Sequence, residues 1–264
     1  MARIKEVKLY TYQWKAENPV GISVLIVHGL GEHAGRYKSL VKTLNSEGID
    51  VYSFDLPGHG KSPGKRGHIP SLDAVLDYIG RYLDKIEGQR FVLGHSLGGL
   101  IALRTAQEHE DKIKGVIASS PAIYIKPVSP LLQKLAMILD KFLPTVTLSN
   151  QIDVSALSRS QEEIEAYIND PLVHDRISAR LYGEIVRHID RLWQKAPTSN
   201  APLLLQVGTD DKVVPPVRAD ELIHTWEGLS IYKAYEGAFH ELYEDPYIGT
   251  QAISDVVDFI RESV

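Results

Sequence analysis

The residues with the strongest chemical signature lie in Gly94-His95-Ser96-Leu97-Gly98, with Gly99 following. A short apolar run, Phe91–Leu93, precedes this segment, and a helical pattern, Leu97–Glu108, follows it. A serine between two glycines at a strand-to-helix reversal is the G-x-S-x-G nucleophile turn. A side chain at Gly94 or Gly98 would crowd so tight a reversal. A helix that starts behind Ser96 points its free N–H groups at any oxygen that becomes negative there. A serine hydroxyl is a weak nucleophile at neutral pH and needs a base. Enzymes that use this turn carry an acid, and then the base histidine, after the serine in chain order.

His240 meets that order. It lies in Tyr235-Glu236-Gly237-Ala238-Phe239-His240, just after the strand pattern Ser230–Ala234. His109, His188 and His224 fall within helical patterns, and His174 lies in a long segment without core strands. The acid is expected after the strand pattern Leu203–Val207, in Gly208-Thr209-Asp210-Asp211-Lys212-Val213-Val214. Adjacent side chains in a loop point different ways, so only one aspartate reaches the imidazole. The Gly-x-x-Asp-x-x-Val spacing selects Asp211 and leaves Asp210 to cap the turn or face solvent. Ser96, Asp211 and His240 are the expected catalytic residues. The backbone N–H of Leu97 and that of Leu30, in His28-Gly29-Leu30-Gly31-Glu32-His33 after the apolar run Ile22–Val27, are the expected oxyanion donors.

These loops all follow strand patterns. The runs Ile22–Val27, Val51–Phe54, Phe91–Leu93, Val116–Ala118 and Leu203–Val207 alternate with helical patterns at Tyr37–Asn45, Leu72–Ile86 and Leu97–Glu108. Such alternation predicts right-handed crossovers and a mostly parallel sheet, and ligands of open parallel sheets bind beyond the carboxyl ends of the strands. The opening stretch Val7–Trp14 alternates and reads as an antiparallel strand. From Ser120 to Pro197 no strand pattern is evident. That region reads as a helical insertion in which Leu131–Leu143, apolar around much of its circumference, covers an apolar substrate. On this reading Leu135 and Ile138 face the substrate chain.

Composition excludes several alternatives. The chain has 264 residues, 44% hydrophobic and 24% charged, with net charge −5 and no cysteine. No basic block supports a nucleic-acid surface, and thiol chemistry and disulfides are ruled out. His28, His33, His59 and His68 lack the paired spacing of zinc ligands, and nucleotide-cradling glycine motifs are absent from the strand ends; no metal and no cofactor are expected. Asp55-Leu56-Pro57-Gly58-His59-Gly60-Lys61-Ser62 reads as a structural turn. The N-terminus lacks a signal-peptide core and no run reaches membrane-span length. The expectation is a soluble cytoplasmic protein that touches a membrane surface, if at all, through Leu131–Leu143 as an interfacial helix.

Beyond these motifs, the chain resembles the monoglyceride lipases of the α/β-hydrolase superfamily. The resemblance rests on His28-Gly29-Leu30-Gly31-Glu32-His33-Ala34-Gly35-Arg36-Tyr37, on the Ser96 turn, on Tyr235–His240, and on Leu157-Ser158-Arg159 and Asn169–Val173 in the insertion. It implies an α/β-hydrolase fold: a mostly parallel eight-stranded sheet flanked by helices, with residues 1–119 and 198–264 as core and 120–197 as a helical cap. It implies a single-chain ester such as a monoacylglycerol as substrate, cleaved to fatty acid and glycerol through an acyl-enzyme. A general carboxylesterase or lysophospholipase is the alternative. Glu32, Arg36 and His95 match family positions that line a pocket for the glycerol hydroxyls; Glu32 and Arg36 also stand four apart, as a simple helix-start ion pair would. Tyr243, a further candidate for that pocket, stands where some relatives carry a second histidine.

Overall fold

The computed structural model describes residues 8–125, 129–194 and 199–264. The N-terminal residues read above as lacking a leader, and the cap boundary at 197/198, lie outside the described residues.

Strands form where the apolar runs are. They are β1 (Thr11–Trp14), β2 (Ile22–Val27), β3 (Asp50–Phe54), β4 (Gln89–His95), β5 (Gly115–Ser119), β8 (Leu203–Gly208) and β9 (Ser230–Tyr235). Every residue of β2, β5 and β8 is buried, as strands covered on both faces require. The sheet order is β1-β3-β2-β4-β5-β8-β9. Only β1, on the edge, runs antiparallel. The resemblance implied eight strands; the described residues form seven in this sheet.

The helices pack on both faces. Helix α1 (Lys38–Ser46) and the C-terminal helix (Gly249–Glu262) share one apolar layer with the sheet. Helix α2 (Leu72–Leu83) and helix α3 (Leu97–Glu108) share the other. Helix α2 starts where the Ser71 hydroxyl accepts the Ala74 N–H at 3.2 Å, and it buries Leu72, Val75, Leu76, Ile79 and Leu83 at helical spacing. The chain winds from β2 to β3 on one side and then crosses to β4 on the other. The reversal of strand order therefore falls between β2 and β4, where crevices open in such sheets.

The insertion holds α4 (Pro130–Phe142), α5 (Gln161–Asn169) and α6 (Ala179–Gln194). It also holds β6 (Thr147–Ser149) and β7 (Arg176–Ser178), paired antiparallel, where no strand pattern is expected from the sequence. Both strands are three residues long, too short to show alternation. Helix α6 buries Leu181, Ile185, Ile189 and Leu192 in the same core as α2 and α3, so the last helix of the insertion belongs physically to the flanking layer. The face of α4 turned toward α6 carries Ala136 and Asp140, with Met137 at its exposed rim. Leu135 and Ile138, expected to face substrate, are instead 49% and 54% exposed. With Leu131 and Phe142 they form one outward stripe at spacings of four, three and four. The sequence pattern shows that α4 is broadly apolar, and the structure adds which side is covered.

Candidate active site

Strand register brings the four loops together. Val27 pairs with Gly94, so the loop after β2 emerges beside the serine turn after β4. Gly208 pairs with Tyr235, so Asp211 and His240 leave adjacent strands at the same level.

Ser96 has φ 54° and ψ −117°, a region costly for a residue with a side chain. The glycines permit it: a Cβ on Gly94 would stand 2.0 Å from Gly98 O, and one on Gly98 would stand 1.9 Å from Val27 O. Ser96 N–H donates to Ser119 O at 3.0 Å, which holds the turn on β5. Leu97 opens α3, so its N–H is a first-turn donor without an acceptor inside the helix. Leu30 is half-buried between Gly29, which packs against the Ser96 side chain, and Gly31 at φ +84°.

His240 Nδ1 and Asp211 Oδ2 are 2.7 Å apart, both side chains almost wholly buried. The other oxygen of Asp211 accepts the N–H groups of Val213 at 2.8 Å and Val214 at 2.9 Å. These bonds hold the carboxylate while Oδ2 meets the imidazole. Asp210 is exposed, and of the two aspartates it is Asp211 that meets the imidazole. His240 is also held through its backbone: Ser120 Oγ donates to His240 O at 2.9 Å. Ser120 has φ 42°, and nothing in its local sequence announces that role.

His95 lies against the His240–Asp211 pair, its ring 4.7 Å from that of His240. Burial, reinforced by the neighbouring His240, pulls its pKa down to about 4, so His95 stays neutral and adds no repulsion to a protonated His240. Glu32 is buried, a circumstance that alone would raise its pKa. Arg36, His95 and His28 outweigh this and hold it at about 2. Its Oε1 accepts from Gly29 N–H at 2.7 Å and Tyr37 OH at 2.7 Å, and Oε2 accepts from Arg36 Nη1 at 3.1 Å. Arg36 also grips Glu241 with both terminal nitrogens, at 2.7 and 2.9 Å, and lies 4.7 Å over the Tyr167 ring.

The predicted pocket residues Glu32, Arg36, His95 and Tyr243 do line one cavity, together with Tyr37, Glu241 and Glu244. The hydrogen-bonding atoms of several are engaged by the protein: the Tyr243 hydroxyl donates to Gln206 Oε1 at 2.8 Å, inside the core. A second cavity of about 540 Å³ lies between α4, α6 and the segment after β5. Apolar Ile123, Ile125, Val186 and Ile189 line it beside charged Asp140 and Arg187. It starts next to Ala122, whose N–H donates to Ser96 O at 2.9 Å.

Asp55, read as part of a structural turn, does hold the site from behind. Its carboxylate accepts from Ala34 N–H at 2.9 Å, Lys61 N–H at 2.7 Å and Tyr12 OH at 3.1 Å. Cap residues reach the same loop: His174 N–H donates to Gly31 O at 2.8 Å, and His33 Nε2 meets Asp170 Oδ2 at 2.8 Å. Among the described residues, no three His, Asp or Glu side chains come together as a metal site, and no helix is long and apolar enough to cross a membrane.

Residues 18–247 match the family described as serine aminopeptidase, S33. Phospholipase YtpA of Bacillus subtilis is 32% identical over 247 residues, 89% of this chain and 93% of that protein. The monoacylglycerol lipase of Mycolicibacterium smegmatis is 32% identical over 238 residues, 87% of this chain and 84% of that protein. The crystal structure of Paleococcus ferrophilus monoacylglycerol lipase superposes with a TM-score of 0.92 at 39% identity, over 97% of this chain and all of that one. The chain belongs to the serine aminopeptidase S33 family, in the α/β-hydrolase group that contains the monoacylglycerol lipases, and is a carboxylic ester hydrolase.

Proposed function

We propose that this enzyme hydrolyses monoacylglycerols to a fatty acid and glycerol through an acyl-enzyme on Ser96. One juxtaposition carries the reading: a half-exposed serine in a strained turn, whose neighbour His95 lies 4.7 Å from the ring of His240 in the buried His240–Asp211 pair, and a cavity that begins one residue beyond Ala122, which bonds the Ser96 carbonyl. His240 takes the Ser96 proton as the oxygen attacks the ester carbonyl. Leu30 and Leu97 N–H groups hold the oxyanion, each donor being worth about 3 kcal/mol of barrier. His240 then protonates the departing glycerol oxygen, and water repeats the sequence on the acyl-enzyme. Asp211 fixes the imidazole tautomer and stabilises its cation without taking the proton. The acyl chain occupies the Ile123–Met137–Ile189 cavity, and residues 120–178 act as the cap over it. The outward stripe Leu131, Leu135, Ile138 and Phe142, flanked by Lys134 and Lys141, meets the lipid surface that supplies the substrate.

A lysophospholipase is the second reading, favoured by the likeness to phospholipase YtpA. Against it stand Glu32, Glu241 and Glu244 around the single Arg36 in the polar cavity, a poor setting for a phosphate. The deciding experiment compares fatty-acid release from monoacylglycerols of several chain lengths, lysophosphatidylcholine and short soluble esters, with Ser96→Ala alongside. The proposal expects the highest kcat/KM on medium or long monoacylglycerols, and a loss of at least about 10⁴-fold in Ser96→Ala. Preference for the lysophospholipid, or activity only on short esters, moves the assignment to the corresponding alternative.

A further inference from the structure

Glu241 stands next to His240 in the chain, yet nothing above gives it a part in the chemistry. Its surroundings do. Its N–H donates to Leu157 O of the cap at 2.8 Å. Its carboxylate binds Arg36 through two parallel bonds of 2.7 and 2.9 Å, the geometry of a paired fork. Arg36 passes the link to Glu32 at 3.1 Å, and Glu32 passes it to the N–H of Gly29 at 2.7 Å. Gly29 directly precedes Leu30. An unbroken chain of charge-assisted bonds therefore runs from the residue after the base to the residue before the oxyanion donor, joining loops 205 positions apart.

The side chains of Arg36 and Glu241 are 12% and 10% exposed, and that of Glu32 is 6% exposed. Two carboxylates share one guanidinium in this nearly dry place. Burying ion pairs is weak as a source of stability, but it defines geometry sharply, because breaking the pair strands a charge. The link also accounts for how Arg36 is spent: two of its nitrogens are committed to protein carboxylates, and its face lies over Tyr167. Such a guanidinium suits a strut better than a hand held out to glycerol.

We propose that Glu241 is a positioning residue: through Arg36 and Glu32 it holds the Leu30 N–H in register with the His240 imidazole. The inference rests on the assignment of Ser96, His240 and Leu30 made under the proposed function. A shift of about 1 Å between base and oxyanion donor can cost on the order of 100-fold in rate. The effect acts on the acylation machinery, so it is independent of what alcohol leaves.

The test is steady-state kinetics of the wild type, Glu241→Gln and Glu241→Asp on a monoacylglycerol and on a p-nitrophenyl ester that has no glycerol, with fluorophosphonate labelling rates alongside. Glu241→Gln keeps the size and loses the charge. Glu241→Asp keeps the charge and withdraws it by one methylene, and it serves as well if the first variant folds poorly. The expected result is a fall in kcat of about 10- to 100-fold on both esters, by the same factor, with KM within about twofold, slower labelling to match, and a smaller loss in Glu241→Asp. A rise in KM confined to the monoacylglycerol would assign the cluster to glycerol binding and overturn the proposal, as would unchanged kcat in both variants. A wild type that neither labels nor turns over these esters would instead defeat the underlying assignment of Ser96.

Discussion

The two halves of the insertion are held in opposite ways. Residues 150–178 are stitched to the catalytic loops: His174 N–H to Gly31 O, Ser178 N–H to Gly67 O, His33 to Asp170, and Arg159 to Asp245 through two bonds of 2.7 Å. Helix α4 is tied to α6 at Asp140, which pairs with Arg180 and Arg187 at 2.8 Å each. Its outer face carries Leu131 at 77% and Phe142 at 67% exposure. The difference teaches a division of labour. The stitched half touches the Leu30 loop and the His240 loop, so on the roles proposed for those residues its movement would spoil their geometry. Helix α4 borders the proposed acyl cavity, and its ion pairs run to α6. Cap opening, on this view, is a motion of α4 and not of the insertion as a whole.

Acid should have the largest effect on stability, because it acts at once on several buried groups, among them His174 of the stitched half and histidines of the loops it touches. Burial lowers the pKa of His28 and His59 and brings those of His95, His174 and His188 to about 4. Folded values below the unfolded value of about 6.5 mean that the unfolded chain binds more protons between these limits. Stability therefore falls as pH drops from about 6.5 to 4, by up to about 1.4 kcal/mol per pH unit for each fully buried histidine. Glu32, held near 2, adds a contribution present above about 4.5 and lost toward pH 2. Calorimetry should show Tm falling steeply between pH 6.5 and 4.5; a flat Tm would show that these histidines are not buried as neutral groups.

Cutting one stitch comes next. Arg159→Ala leaves Asp245, whose side chain is wholly buried, without its cation, at a cost of about 3 kcal/mol. For a domain of this size that lowers Tm by roughly 6–12 °C. A change under about 2 °C would mean that the stitched half is no firmer than α4.

The reverse change is predicted on α4. Leu135→Asp with Ile138→Asp should leave Tm nearly unchanged, as exposed substitutions do, yet weaken binding to anionic vesicles by about tenfold or more, since each leucine or isoleucine buried in lipid is worth roughly 1.5 kcal/mol or more. Equal flotation of variant and wild type would remove the lipid role of the stripe. The smallest effect is one of selectivity. Ala136→Phe fills part of the cavity beneath α4 and should lower kcat/KM for long chains relative to short ones by about tenfold, the worth of one or two methylenes. Loss on both alike would place the chain elsewhere.

How far the sequence could be read follows from where the information sits. The strands were legible because burial on both faces leaves continuous apolar runs such as Ile22–Val27. The serine turn was legible because its sterics demand glycine at 94 and 98. Asp211 could be chosen over Asp210 from spacing alone. Ser120, Glu241 and the docking of His174 on Gly31 were not legible, because each depends on a partner brought from far along the chain. The orientation of α4 was hidden for a related reason: a helix apolar on most sides does not say which side its neighbours cover. Glu32 and Arg36 were found by resemblance, and only their bonds to Gly29 and Glu241 show how fully they are engaged.

The most direct test of the central claim is to locate the covalent adduct formed by a fluorophosphonate. After inactivation and proteolysis, mass spectrometry should find the added mass on the peptide containing Ser96, with Ser96→Ala unlabelled and His240→Ala labelled far more slowly. An adduct on another residue, or full hydrolytic activity persisting in Ser96→Ala, would contradict the assignment of Ser96 as nucleophile.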